Sequence, residues 1–133
     1  MDRSLISGGA PWEAGVGYSR AVRAGPFVYV AGTTATDETG AVVCPGDAYG
    51  QTRYALGLIE RALREAGARL EDVVRTRLYV TDIGQWEAIG RAHGEAFGAI
   101  RPAATMVQVA ALISPGHLVE IEVDAVISED LPS

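Results

Sequence analysis

From Leu118 to Ile127 apolar and acidic residues alternate, with Val119, Ile121, Val123, Ala125 and Ile127 on one face and Glu120, Glu122 and Asp124 on the other. A period of two is that of a β-strand with one buried face. The same period runs through Val74–Val80, with Val74, Thr76, Leu78 and Val80 on one side and Arg75, Arg77 and Tyr79 on the other. Phe27–Ala31 is β-branched and aromatic throughout and predicts a further strand. Ser4–Ser7, Ser19–Ala24, Ala41–Val43 and Thr105–Val109 predict shorter ones. Glycine and proline punctuate them at Gly8-Gly9-Ala10-Pro11 and Gly25-Pro26, and Trp12–Ser19 reads as irregular.

A helical period replaces this pattern twice. Thr52, Ala55, Leu56, Ile59, Ala62, Leu63 and Ala66 recur at three- and four-residue spacing, with Gln51, Arg53, Glu60, Arg61 and Arg64 assigned to the polar side. Asp47 is suited to cap this helix and Gly67 to end it. The second helix follows Asp82, which with Gln85 spells a capping box. Trp86, Ile89, Gly90, His93 and Phe97 fall on its inner face. Pro102 is expected to force Arg101 into extended geometry. His117 falls in the loop Ile113–His117 and is expected at the surface; Ser128–Ser133 reads as a polar tail.

Strands, helix, strand, helix and strands in this order predict a two-layer α+β sandwich, a mixed sheet with two helices on its apolar face. Each helix would form a crossover between parallel strands. The opposite face would carry Tyr79, Met106, Val126, arginines and acids. Such a face calls for a partner surface, and a symmetric homo-oligomer is the default. Arg75 and Arg77 are candidates to pair with the three carboxylates, Glu120 included, across that face.

Composition narrows the functional classes. A chain of 133 residues that is 48% hydrophobic reads as one domain, spanning 1–133. Its net charge of −6, with 11 basic residues that are all arginine and form no block, argues against nucleic acid. No apolar run is long enough for a membrane span, and MDRSLISGGA has no apolar signal core, which implies a cytoplasmic protein. The single cysteine, Cys44, excludes an internal disulfide and has no basic neighbour to make it reactive. Cys44, His93 and His117 lie too far apart in sequence for a zinc-ligand spacing. His93 reads as a hydrogen-bonded core residue.

Pro102-Ala103-x-Thr105, the following Val-x-Val strand and Leu118-Val119-Glu120-Ile121-Glu122 resemble the closing signature of the Rid/YjgF/L-PSP family, the reactive intermediate deaminases. The resemblance covers nearly the whole chain. It implies a chorismate-mutase-like fold, a homotrimer with its sheets facing inward, and a small-molecule cleft between subunits. It implies no cofactor. Deaminating relatives hydrolyse enamines and imines, using a glutamate at the place of Glu120 to position water and an arginine to clamp the substrate carboxylate. Ala104 stands in the arginine's place here, and Gly90 in that of a family asparagine. Arg101 lies three residues, or about 10 Å of strand, from that place and on the other face. The matching substrate-binding positions are Tyr18, Ala31, Gly32, Gly90, Ala104, Thr105 and Met106. The resemblance therefore implies an imine or enamine hydrolase of altered specificity. A non-catalytic metabolite-binding or regulatory trimer is the alternative reading. An endoribonuclease is a third, weakened by the lack of a basic groove or a histidine pair.

Overall fold

Each long strand buries one side and leaves the other open, and this sets the layers. In the computed structural model, which describes residues 2–128, the strands are β1 (Arg3–Ile6), β2 (Ala21–Ala24), β3 (Phe27–Thr34), β4 (Val73–Val80), β5 (Ala103–Gln108) and β6 (Val119–Val126). They form one sheet in the order β1-β2-β3-β6-β4-β5, antiparallel except for the β4–β5 pair. Helices α2 (Ala48–Glu65) and α3 (Trp86–Phe97) cover the apolar face. Val28, Val30, Leu78, Val80, Val119, Ile121 and Val123 from the sheet meet Leu56, Ile59, Leu63, Ile89 and Phe97 from the helices in one core. The predicted two-layer α+β architecture is observed.

The last strand does not sit at an edge. β6 lies between β3 and β4, antiparallel to both, so the crossover through α2 steps over a strand. Only β4-α3-β5 joins adjacent parallel strands. This centres the acidic row of β6 on the open face of the sheet.

Several local expectations are corrected. Trp12–Val16 is a short helix, α1, ended by Gly17 at φ 89°. Glu13 builds it, accepting hydrogen bonds from the Gly8 and Ala10 amides. Ala41–Val43 is no strand; a lone bridge joins Thr36 to Val42. A bulge between Val73 and Arg75 puts Val73 in the core and turns Val74 out, 48% exposed. Asp82 caps a 3-10 turn, Ile83–Gln85, accepting from the Gly84 amide, so α3 starts later and Trp86 is exposed. Arg101 adopts φ 58°, left-handed rather than extended. Met106 packs against the core instead of facing the open side. Of the tail, residues 129–133 lie outside the described residues.

Asp47 caps α2 as expected, accepting from the Gly50 amide. Gln51 was assigned to the polar side but is fully buried. Its amide donates to the carbonyls of Gly116 and Cys44 and accepts from the Leu118 amide, so it fastens the loop before β6 to α2. His117 is buried too, bonded through Nε2 to Thr36 Oγ1 at 2.9 Å. Its Nδ1 has no partner among the described residues, and burial lowers its pKa.

Candidate functional site

The open face carries an ion-paired region and an unpaired carboxylate. Arg77 on β4 lies 3.5 Å from Glu122 and 3.3 Å from Asp124 on β6. Tyr79 donates to Glu122 at 2.8 Å. The predicted pairing of β4 arginines with β6 acids is thus realised by Arg77, Glu122 and Asp124. Arg75 and Glu120 take no part in it. Glu120 makes no ion pair with an arginine of the described residues, although it is only half-exposed. Burial raises its pKa, the charge of Arg20 opposes the rise, and neighbouring Glu122 adds to it.

Glu120 holds this position because of a defect in the next strand. Between Val30 and Thr33, β3 carries one residue more than β6 opposite it, and the bulge falls at Ala31-Gly32. The carboxylate of Glu120 lies directly against Gly32. A Cβ on Gly32 would overlap Glu120 Oε2 and come within 2.9 Å of its Cδ. Glycine leaves room here for a side chain of the same protomer, the Glu120 carboxylate, which a Cβ would push aside. The Gly32 carbonyl accepts from Arg20 Nη2 at 2.7 Å. No motif in the sequence marks Arg20, one of two arginines in the predicted strand Ser19–Ala24, as part of the site.

Two recesses open on this face of the sheet, and the Glu120 carboxylate lines the first. One, of about 410 Å³, is lined by Glu120, Glu122, Tyr79 and the apolar loop residues Val109, Ala111, Leu112 and Ile113. The other, of about 680 Å³, is bordered by Tyr18, Ala31, Tyr29, Arg77 and Asp124 among others. Tyr18 is fixed by a hydrogen bond from Trp12 Nε1 at 2.6 Å, and Arg20 lies over its ring, 5.8 Å from the centroid.

The remaining candidate positions are elsewhere. Ala104 on β5 pairs in register with Thr76 of β4, Thr105 with Arg77 and Met106 with Leu78. Glu120 pairs instead with Tyr79, two strands from β5. Ala104 is exposed at the sheet edge, and a Cβ on Gly90 would meet nothing within 4 Å. His93, one turn along α3, bonds to Thr76 at 2.8 Å and packs on Phe97, which fits its expected core role. One protomer therefore sets one group, Gly32 against Glu120 with Tyr18 and Ala31 along the second recess, apart from another, Ala104, Thr105 and Met106 on β5 and Gly90 on α3. It does not join the two groups.

The family model described as Endoribonuclease L-PSP matches residues 9–127. The chain belongs to that family. Its fold is that of a Mycobacterium tuberculosis member of the YjgF/YER057c/UK114 family, at a TM-score of 0.86 and 55% identity over 95% of this chain and 100% of the other. YyfA, a Rid family protein of unknown function from Yersinia pestis, is 33% identical at a TM-score of 0.85, covering 95% and 100% of the two chains. Among relatives of assigned activity, the 3-aminoacrylate deaminase RutC of Acinetobacter baylyi is 39% identical over 78% of this chain and 82% of its own. Family membership and fold thus agree with the closing signature read from the sequence. No described helix of this L-PSP family chain is long and apolar enough to cross a membrane.

Proposed function

We propose that this protein hydrolyses a small imine or enamine, with Glu120 as the catalytic base, in a cleft completed by a neighbouring subunit of a homotrimer. The observation that carries the reading is the state of Glu120. Of the three acids on β6, Glu122 and Asp124 are held by Arg77, while Glu120 is left half-buried, without an ion pair and beside a recess. A carboxylate whose proton affinity is raised by burial is better matched to taking a proton near neutral pH. In the reaction, an enamine first takes a proton on carbon to become the imine; Glu120 then accepts a proton from water as its oxygen adds to the C=N carbon, and passes that proton to the nitrogen. The tetrahedral adduct then expels ammonia, and a C=O bond replaces C=N. No cofactor is needed. The relation to a 3-aminoacrylate deaminase supports this class of substrate.

The trimer supplies what one protomer lacks. The β5 positions Ala104, Thr105 and Met106, with Gly90, would face the Glu120 group of the adjacent subunit. Ala104 offers no charge to clamp a carboxylate, where an arginine would give a strong bidentate pair. The substrate is therefore a less acidic or differently anchored imine than 2-iminopropanoate. The chain reads as one domain throughout and as a cytoplasmic protein. A net charge of −6 gives RNA no electrostatic foothold, so the nuclease activity in the family's name is not carried over.

The test is release of keto acid from 2-iminopropanoate or 2-iminobutanoate generated in situ by an amino-acid oxidase or dehydratase, with semicarbazide trapping the free imine. Wild type runs beside Glu120→Ala and Ala104→Arg. Weak or no acceleration by wild type, with gain in Ala104→Arg that Glu120→Ala abolishes in the double variant, is the expected result. Silence in every variant, together with tight binding of a neutral metabolite, would replace the hydrolase by a binding module. The open space at Gly90 and Ala104 suits that second reading.

A further inference from the structure

The unassigned cation of the site is Arg20. It precedes β2, and its backbone carbonyl accepts from the Ala31 amide at 3.0 Å, which brings it beside the β3 bulge. Its side chain lies on the open face. Nη2 donates to the Gly32 carbonyl at 2.7 Å, while its Nε is buried with no partner among the described residues. A buried guanidinium nitrogen left unpaired is costly unless the group's charge is used elsewhere. The Glu120 carboxylate packs on the same Gly32 and feels the Arg20 charge, while Glu13 lies beside the Arg20 stem at Gly8. Arg20 and Glu120 are too far apart for a direct ion pair, so they act through space and through the strand between them.

We infer that Arg20 is the positioning residue for Glu120: its guanidinium holds the carbonyl of Gly32, the residue on which the Glu120 carboxylate packs, and brings a positive charge to that residue. The inference rests on the hydrolase reading for its catalytic meaning, but its structural claim can be measured without activity. Other charges around Glu120 do not substitute. Glu122, on the same strand, disfavours ionisation, and Tyr79, on β4, is neutral and donates to Glu122. On β3 the neighbours Gly32 and Thr34 carry no charge, and the loop residues Val109, Ala111, Leu112 and Ile113 are apolar. Arg77, the nearest cation on β4, is taken up by Glu122 and Asp124, so Arg20 is the cation that opposes the effect of burial on Glu120.

The experiment compares Arg20→Gln, Arg20→Met and Arg20→Lys with wild type in the full-length protein. Glutamine keeps a donor for the Gly32 carbonyl without charge, methionine removes both, and lysine keeps charge and a donor. Carbon-13 NMR of labelled glutamate, with Glu120→Gln to assign the resonance, follows titration of the Glu120 carboxyl. The expected result is a midpoint about one pH unit higher in Arg20→Gln and Arg20→Met, with near-wild-type behaviour in Arg20→Lys. The acid limb of kcat/KM should move by the same amount, a roughly tenfold loss of rate on that limb. Unchanged titration in the neutral variants, with only a lower melting temperature, would overturn the inference and leave Arg20 a structural residue. Should wild type hydrolyse no imine, the carboxyl titration still decides the role of Arg20, and the failure falls on the hydrolase reading alone.

Discussion

At the scale of single residues, three acids of one strand face divide into different roles although the sequence spaces them identically. Glu122 and Asp124 face Arg77 across the β4–β6 ladder; Glu120 faces a bulge and a glycine. The alternation made the row of acids legible. It could not tell which acid stays unpaired, because that depends on strand order and on one extra residue in β3. The sign of the Glu120 shift has a consequence for stability. Its folded pKa is raised, so the folded state holds the proton more tightly, and stability present below the unfolded value is lost as pH rises through the folded one. Glu120→Gln should therefore raise the melting temperature at neutral pH while lowering kcat by about 10²-fold or more. A melt and a rate on the same sample check both. A variant that loses activity without gaining stability would contradict the assigned burial cost.

At the scale of elements, the loop between β5 and β6 is where sequence reasoning erred most. His117 in that loop and Gln51 on α2 beneath it are polar residues that local pattern places at the surface, and both are buried. Their burial follows from the loop's need for hydrogen-bond partners beneath it, a tertiary requirement with no local signature. Gln51 had one clue, since it stands four residues before Ala55 and so keeps the phase of the buried stripe of α2. Replacing it with leucine leaves the Gly116 carbonyl and the Leu118 amide unpaired, at about 1–3 kcal/mol for each group. Urea unfolding should show the loss, and faster amide exchange should be confined to the loop and the start of β6. The histidines give a pH signature. Burial lowers the pKa of His93 and His117, so the unfolded chain binds more protons than the folded one below about pH 6.5. Stability should fall as pH drops from that value, and His117→Asn should flatten the slope in denaturant titrations at stepped pH. The Thr34–Thr36–His117 hydrogen-bond chain ends opposite Glu120, so this loop and the site share a frame.

At the scale of the whole molecule, the open face of the sheet is only partly suited to water. Leu5, Phe27, Tyr29, Val107 and Val126 are exposed on it among the charges. In the proposed trimer this face turns inward, and Tyr29 lies near its middle. Tyr29→Asp would put a further acid beside Asp124, its register partner, and should dissociate the assembly. Light scattering after gel filtration should report about 42 kDa for wild type, three times the 14.0 kDa chain, and a third of that for the variant. A wild-type monomer would refute both the trimer and the shared cleft. The two-layer fold was readable because periodicity reports which face is buried. The insertion of β6 between β3 and β4 was not, since local pattern carries no information on strand order.

The contact between Gly32 and Glu120 also makes a genetic statement. The two positions occupy one volume, so a side chain at 32 and a long side chain at 120 exclude each other. Gly32→Ala alone should push the carboxylate off its seat and lower kcat, with little change in melting temperature because the displaced atoms end a flexible side chain. Beside Glu120→Ala the same substitution should change neither further. In a library that randomises both positions, survivors should fall into two classes, glycine with glutamate or a larger residue with a short one. The base would then be inherited as a pair of positions that change together.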